Sequence, residues 1–172
     1  ASGAVAVLGG IRLWEADGTP GPVLEKWTTY ISSAAWSPDG ERFVLGSAHG
    51  LRLGEADGEN RSQVGRQYAN VHCVAWSPDG KRLASGSWDG KVRLWRPDGT
   101  PDVVFEKWSA YISSVAWSPD GRRLATGHEN RGARLWDADG TPGTALRGHT
   151  GHVWCVAWSP DGKFIAAPGA VW

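Results

Sequence analysis

The chain of 172 residues contains no methionine, not even at position 1, so we expect a processed product, an excised fragment or an engineered protein. It carries no charge excess, because 18 Lys plus Arg balance 18 Asp plus Glu. Without a basic field there is no electrostatic case for nucleic acid or an anionic membrane, and neither is expected as a partner. No apolar run approaches the roughly 20 residues of a membrane-spanning helix. The opening Ala-Ser-Gly-Ala-Val-Ala-Val-Leu has no basic start, so a signal peptide is not expected. Cysteine is scarce. Cys73 and Cys155 each stand just upstream of Val-Ala-Trp, in corresponding places of two different repeats. Corresponding places in separate units lie too far apart for a disulfide, which predicts two free, buried core thiols and favours a reducing, cytoplasmic setting. Helical periodicity is missing throughout.

What the chain has is one string, Trp-Ser-Pro-Asp-Gly, four times: Trp36–Gly40, Trp76–Gly80, Trp117–Gly121 and Trp158–Gly162. The tryptophans are 40, 41 and 41 residues apart, a period that marks a repeat architecture. Pro fixes φ at the first central position of a tight turn, Asp bonds its own backbone, and Gly accepts a positive φ at the exit. An apolar run precedes each string and a second run follows it, which predicts a hairpin. A third strand carries Arg-Leu-Trp or a relic of it (Ile11–Trp14, Leu51–Gly54, Val92–Trp95, Ala133–Trp136), and an Asp-Gly turn and a weaker fourth strand follow. The reading is all-β: sixteen short strands in four antiparallel sets of four, a pattern that 24 Gly and 10 Pro suit.

The strings Val-Ala-Trp-Ser-Pro-Asp-Gly, Leu-Ala-Ser-Gly-Ser-x-Asp-Gly and Val-Arg-Leu-Trp stand nearly unbroken between Val74 and Trp95, and in them the chain resembles the WD-repeat family. The resemblance implies a β-propeller of four-stranded blades in one domain over residues 1–172. It also implies a non-catalytic scaffold that binds protein or peptide on one loop face. The repeats are degenerate. The family's Gly-His pair survives only at Gly148-His149, its turn Asp at Asp89, and its Trp-Asp pair at Trp136-Asp137. The family's buried His, Asp, Ser and Trp hydrogen-bond set is therefore complete in no repeat. Cohesion must then lean on tryptophan packing, at about 2–3 kcal/mol per buried ring. Gly54, in the place of a Trp, predicts a hole or a shifted neighbour.

No enzyme chemistry stands out. Five histidines form no metal-ligand spacing, although His149 and His152 share a loop. No Gly-rich phosphate loop, nucleophile with a base or carboxylate pair is evident, so no cofactor is expected. Of twelve tryptophans, seven fall at first-strand or third-strand anchors and read as core. Trp27, Trp88, Trp108, Trp154 and Trp172 fall outside that scheme, with Tyr30, Tyr68 and Tyr111 near some of them; all of these but Trp172 and Tyr68 are the six candidate binding residues. Trp88 precedes the turn Asp and is expected to be exposed. Trp27 and Trp108 either join the same face or fill the space of the lost His. Their flanks match, because Glu-Lys-Trp-x-x-Tyr-Ile-Ser-Ser recurs after 81 residues. The competing reading is a structural or engineered self-assembling propeller with no ligand.

The four blades read as 30–65, 70–106, 111–147 and a split blade made of 153–172 with 11–25. The split halves are complementary, so they predict either a four-bladed monomer or, by two-fold pairing, an eight-bladed homodimer; the shallower turn per blade favours the dimer. Ala4–Leu8 and Ala166–Trp172 both suit the second-strand place of the split blade.

Overall fold

The computed structural model describes residues 9–27, 30–57, 62–64, 70–105, 111–130 and 132–171. Each Trp-Ser-Pro-Asp-Gly string forms the same turn, and for the anticipated reasons. The amide of Gly40 donates to the carbonyl of Ser37, at 2.9 Å. Asp39 Oδ1 accepts from the Glu41 amide at 3.0 Å, and Gly40 has φ 74°. The turns ending at Gly80, Gly121 and Gly162 repeat this bond and the positive φ. A side chain at the exit position would be strained there, so glycine is required.

Eighteen strands occur among the described residues, all paired antiparallel. A first half-sheet holds β1 (Gly9–Trp14) and β2 (Pro20–Trp27). Sheet I holds β3 (Ile31–Trp36), β4 (Arg42–Ser47), β5 (Gly50–Glu55) and β6 (Ser62–Val64). Sheet II holds β7 (Val71–Trp76), β8 (Leu83–Ser87), β9 (Val92–Trp95) and β10 (Pro101–Val104). Sheet III holds β11 (Ile112–Trp117), β12 (Arg123–His128), β13 (Gly132–Asp137) and β14 (Pro142–Leu146). A last half-sheet holds β15 (His149–Val153), β16 (Ala157–Trp158), β17 (Ile165–Ala166) and β18 (Gly169–Val171). Eighteen strands replace the expected sixteen because this last hairpin is interrupted: β15 pairs with β18, and β16 with β17. Gly169–Val171 thus lies alongside the first strand of its unit, while Ala4–Leu8 falls outside the described residues.

The first strands lie side by side, β3 against β7 and β7 against β11, and form the inner wall. Each of them is bulged near its start, between Ile31 and Ser33, Val71 and Cys73, and Ile112 and Ser114. The bulge turns small polar side chains toward the next sheet. The Ser32 hydroxyl donates to the carbonyls of Gly46 and Val71, and Ser113 donates to that of Val153. The amides of Val74 and Val156 donate to the hydroxyls of Ser33 and Ser114 at 3.3 and 3.1 Å. Neighbouring sheets are thus stitched by side chain to backbone at their inner edge.

Between the sheets the core is tryptophan and aliphatic. Trp76 and Trp117 are 8% exposed, Trp95 4% and Trp136 1%. The indole N–H of Trp95 donates to Ser85 Oγ at 2.9 Å, and that of Trp136 to Thr126 Oγ1 at 2.8 Å. Two anchors depart from the core reading. Trp36 is 49% and Trp14 61% exposed: no described sheet precedes Trp14, and Trp36 faces the two-stranded β1–β2, which leaves its ring uncovered. Cys155 departs too. Cys73 is buried and free, whereas Cys155 is free and exposed. The Ile112 carbonyl of the next sheet lies 3.8 Å from Cys73 Sγ, and Cys155 has no such following strand.

The place of the missing tryptophan in sheet I is taken by a neighbouring ring. Phe43 pairs across the strands with Gly54, where Leu83 pairs with Trp95 and Leu124 with Trp136. A Cβ at Gly54 would lie 2.3 Å from the tip of the Phe43 ring, so the ring fills the space that the larger side chain occupies elsewhere. Gly54→Trp alone should therefore destabilise by about 1–3 kcal/mol through overpacking. Combined with Phe43→Leu it should regain most of that loss, so urea midpoints of the two single variants and the double variant should show strong coupling.

Candidate interaction face

The candidate residues sit where the first strands begin and the second strands end. Tyr30 and Tyr111 directly precede β3 and β11, and His152 and Trp154 flank the end of β15. Trp88 follows β8, held by its amide donating to the Asn70 carbonyl at 3.0 Å. The same end of each sheet therefore carries these residues, and the pitch between sheets sets how near they come.

Four rings in sequence touch one another across that end. Trp88 meets Tyr111 edge-on with centroids 5.7 Å apart, and Tyr111 meets His152 in the same manner at 5.8 Å. His152 stacks on Trp154 at 3.7 Å and 11°. His72 packs against Tyr111 at 4.9 Å. Trp88 and Trp154 are 58% and 68% exposed, and Tyr30 is 77% exposed. Tyr111 is the half-buried centre of the strip. Burial raises its phenol to about 12, and the nearby Cys73, Glu129 and Tyr30 add to the rise. Burial also lowers the His72 pKa, with the charge of His152 acting the same way.

Trp88, Tyr111 and Trp154 are brought together by contacts through Tyr111 and His152. The side chain of Trp27, at the end of β2, and all of Trp108 lie outside the described residues, and with them the expected match of their surroundings. His72 and His152 were missed as members of the strip. Their signal is positional: His152 holds the place of Tyr111 one period later, and His72 takes the place of Trp154 two periods earlier.

Beneath the face lie the remnants of the buried polar set. Asp89 accepts from Arg93 Nη2 at 2.6 Å, from the Ser87 hydroxyl, and from the Lys91 amide at 3.0 Å. Burial alone would raise its pKa, but these hydrogen bonds and the Arg93 charge outweigh it and hold the carboxyl at about 2. In sheet III the fully buried His128 supplies an imidazole from within β12, with Nε2 2.7 Å from the Thr126 hydroxyl that receives Trp136. A Trp, Thr and His chain therefore forms without the Gly-His pair. His149, the histidine of that pair, is half-buried, and its Nδ1 has no hydrogen-bond partner among the described residues. The described residues hold no cluster of three or more His, Cys, Asp or Glu suited to a metal ion.

Radially stacked four-stranded sheets with the first strands innermost define a β-propeller architecture. The family model "WD domain, G-beta repeat" matches residues 61–96, 99–137 and 140–169, more than half of the sequence, so the chain belongs to the WD-repeat family. A chain of a solved mitotic checkpoint complex superposes with a TM-score of 0.82 at 26% identity, covering 93% of this chain and 53% of that one. This chain therefore spans about half the length of that relative. No curated protein sequence matches it.

Acid should act through Asp89. Its folded pKa lies below the unfolded value, so its contribution to stability is full above about pH 4 and is lost as pH falls through about 2. Urea midpoints measured from pH 6 to pH 2 should show wild type more stable than Asp89→Asn at the upper end. The difference should shrink below about pH 4 and vanish near pH 2.

Proposed function

We propose that the protein is a non-catalytic scaffold that binds a protein or peptide segment on the face carrying Trp88, Tyr111, His152 and Trp154. WD-repeat propellers are generally interaction scaffolds, and the similar chain lies in a multiprotein complex. One observation carries the reading: aromatic rings from three successive sheets touch in one continuous strip, with Trp88 and Trp154 exposed at its two ends. Rigid rings give large contact area at low entropic cost, and such residues dominate binding energies in protein interfaces. Tyr30 extends the exposed aromatic surface on the same side, and Trp27 and Trp108 are proposed to belong to it through their matching flanks. A structural or engineered propeller with no ligand is the competing reading; it accounts for open sheet edges but gives no role to this strip.

Peptides selected from a displayed library against the protein should bind it with at least about tenfold lower affinity after Trp88→Ala or Trp154→Ala, the ordinary loss at an interface hot spot. Both residues are exposed, so the thermal midpoint should barely change. A selection that yields no binder, or only binders indifferent to both substitutions, overturns the proposal.

A further inference from the structure

The two half-sheets carry exposed counterparts of side chains that make the internal junctions. Three rules govern the junctions. The Arg that opens a second strand reaches a turn carbonyl of the following sheet: Arg42 Nη1 donates to Pro97 at 3.3 Å, and Arg82 Nη1 to Ala138 at 2.6 Å. Arg123 holds this place in sheet III, with its side chain 59% exposed. The corresponding turn carbonyl of the split unit belongs to Ala16, two residues after Trp14 as Ala138 is after Trp136.

The second rule concerns the third-strand tryptophan, which packs on the fourth strand of the preceding sheet. Trp136 lies 5.2 Å from Phe105, and both rings are buried. Leu146 takes the place of Phe105 in sheet III. It helps to line an open recess of about 510 Å³ together with Leu135, Trp158, Ile165 and Ala167. The tryptophan due in that recess is Trp14, exposed on β1.

The third rule concerns the turns. A Cβ at Gly80, Gly121 or Gly162 would lie 3.7 Å from Pro38, Pro78 or Pro119 of the preceding sheet. Gly40 has no described neighbour at that distance. Trp36, Phe164 and Cys155 are exposed at the same two sides.

We infer that the last half-sheet receives β1–β2 of a second copy of this chain, and reciprocally, so that two copies share two completed sheets in one eight-bladed ring. The register follows sheet III, where Leu124 and Ala125 face Trp136 and Leu135. By repeat equivalence, Ile165 and Ala166 face Trp14 and Leu13 of the second copy. Arg123 then donates to its Ala16, Trp14 fills the recess over Leu146, and Cys155 lies under its Ile31 carbonyl as Cys73 lies under Ile112. Pairing is between chains because β1–β2 packs Ile11 and Leu13 on Phe43 and Leu45 of sheet I, while β16–β17 forms a separate two-stranded sheet. The chain also superposes on about half the length of a longer chain. One contact differs: Pro168 stands where Gly46, Gly86 and Gly127 admit the next first strand, so the shared junction is wider there. Completion of both sheets covers the edges that the half-sheets leave open, and the inference is independent of the aromatic face.

Light scattering after gel filtration of the 172-residue chain, with maleimide labelling of the eluted peak, tests this. At micromolar concentration the mass should be twice 18.5 kDa, and both cysteines should label at least about tenfold more slowly than after denaturation. Trp14→Asp places a charge on an exposed side chain. It should give an 18.5 kDa species in which Cys155 labels rapidly and Cys73 stays protected, showing that the arc still folds. Arg123→Glu should do the same, and it decides the matter should Cys73 also label in Trp14→Asp. A monomeric wild type, a dimer whose Cys155 labels freely, or a dimer that persists in both variants overturns the inference.

Discussion

Everything in this molecule depends on how closely one first strand can press against the second strand of the sheet before it. Gly46, Gly86 and Gly127 mark the three places where that happens. A Cβ there would lie 2.9 Å from Val71 Cγ1, 2.5 Å from Ile112 Cγ2 and 2.9 Å from the Val153 carbonyl oxygen. None of these glycines has a positive φ, so space and not backbone conformation requires them. The approach lets Ser32 and Ser113 reach a carbonyl of the next sheet, and it buries Cys73 deeply enough to push its thiol up to about 12. Side chain-to-backbone bonds at the inner edge fix the pitch, and the pitch fixes everything farther out.

Given that pitch, the outer packing tolerates considerable change in residue identity. The family's four-residue polar set is dismantled here, yet Trp95, Asp89 and Trp136 each find a partner. Trp95 keeps Ser85, Asp89 turns to Arg93 and Ser87, and Trp136 reaches Thr126 with His128 behind it. Across one strand pair the Phe43 ring lies over Gly54, in the place that a tryptophan takes in the other sheets. Close packing accepts such swaps when the total space is filled, and buried polar groups accept new partners when one lies within reach.

The aromatic face follows from the same constraint. Trp88, Tyr111, His152 and Trp154 come from loops at strand ends, where side chains are free of the core. They meet only because successive sheets bring those ends within about 6 Å of one another, ring to ring. A scaffold of this kind carries its recognition surface on rigid supports, so the rings are held in place before any partner arrives.

The sequence by itself determined the turns, the strand order and the period. Ser-Pro-Asp-Gly acts through bonds spanning no more than five residues, and the strand runs beside it alternate within their own hairpin. Those interactions are local, so residue types at short spacing encode them fully. It also marked Trp88 for exposure, because the residue lies in a turn. Only the tertiary structure decided which copies of a repeated residue are buried. Trp36 and Trp76 end equivalent strings, as Cys73 and Cys155 precede equivalent ones, yet one of each pair is buried and the other is exposed. His72 and His152 enter the aromatic strip through Tyr111, which lies on another sheet. What covers a side chain here is a neighbour one whole repeat away, and no feature of the residue's own string records whether that neighbour is present.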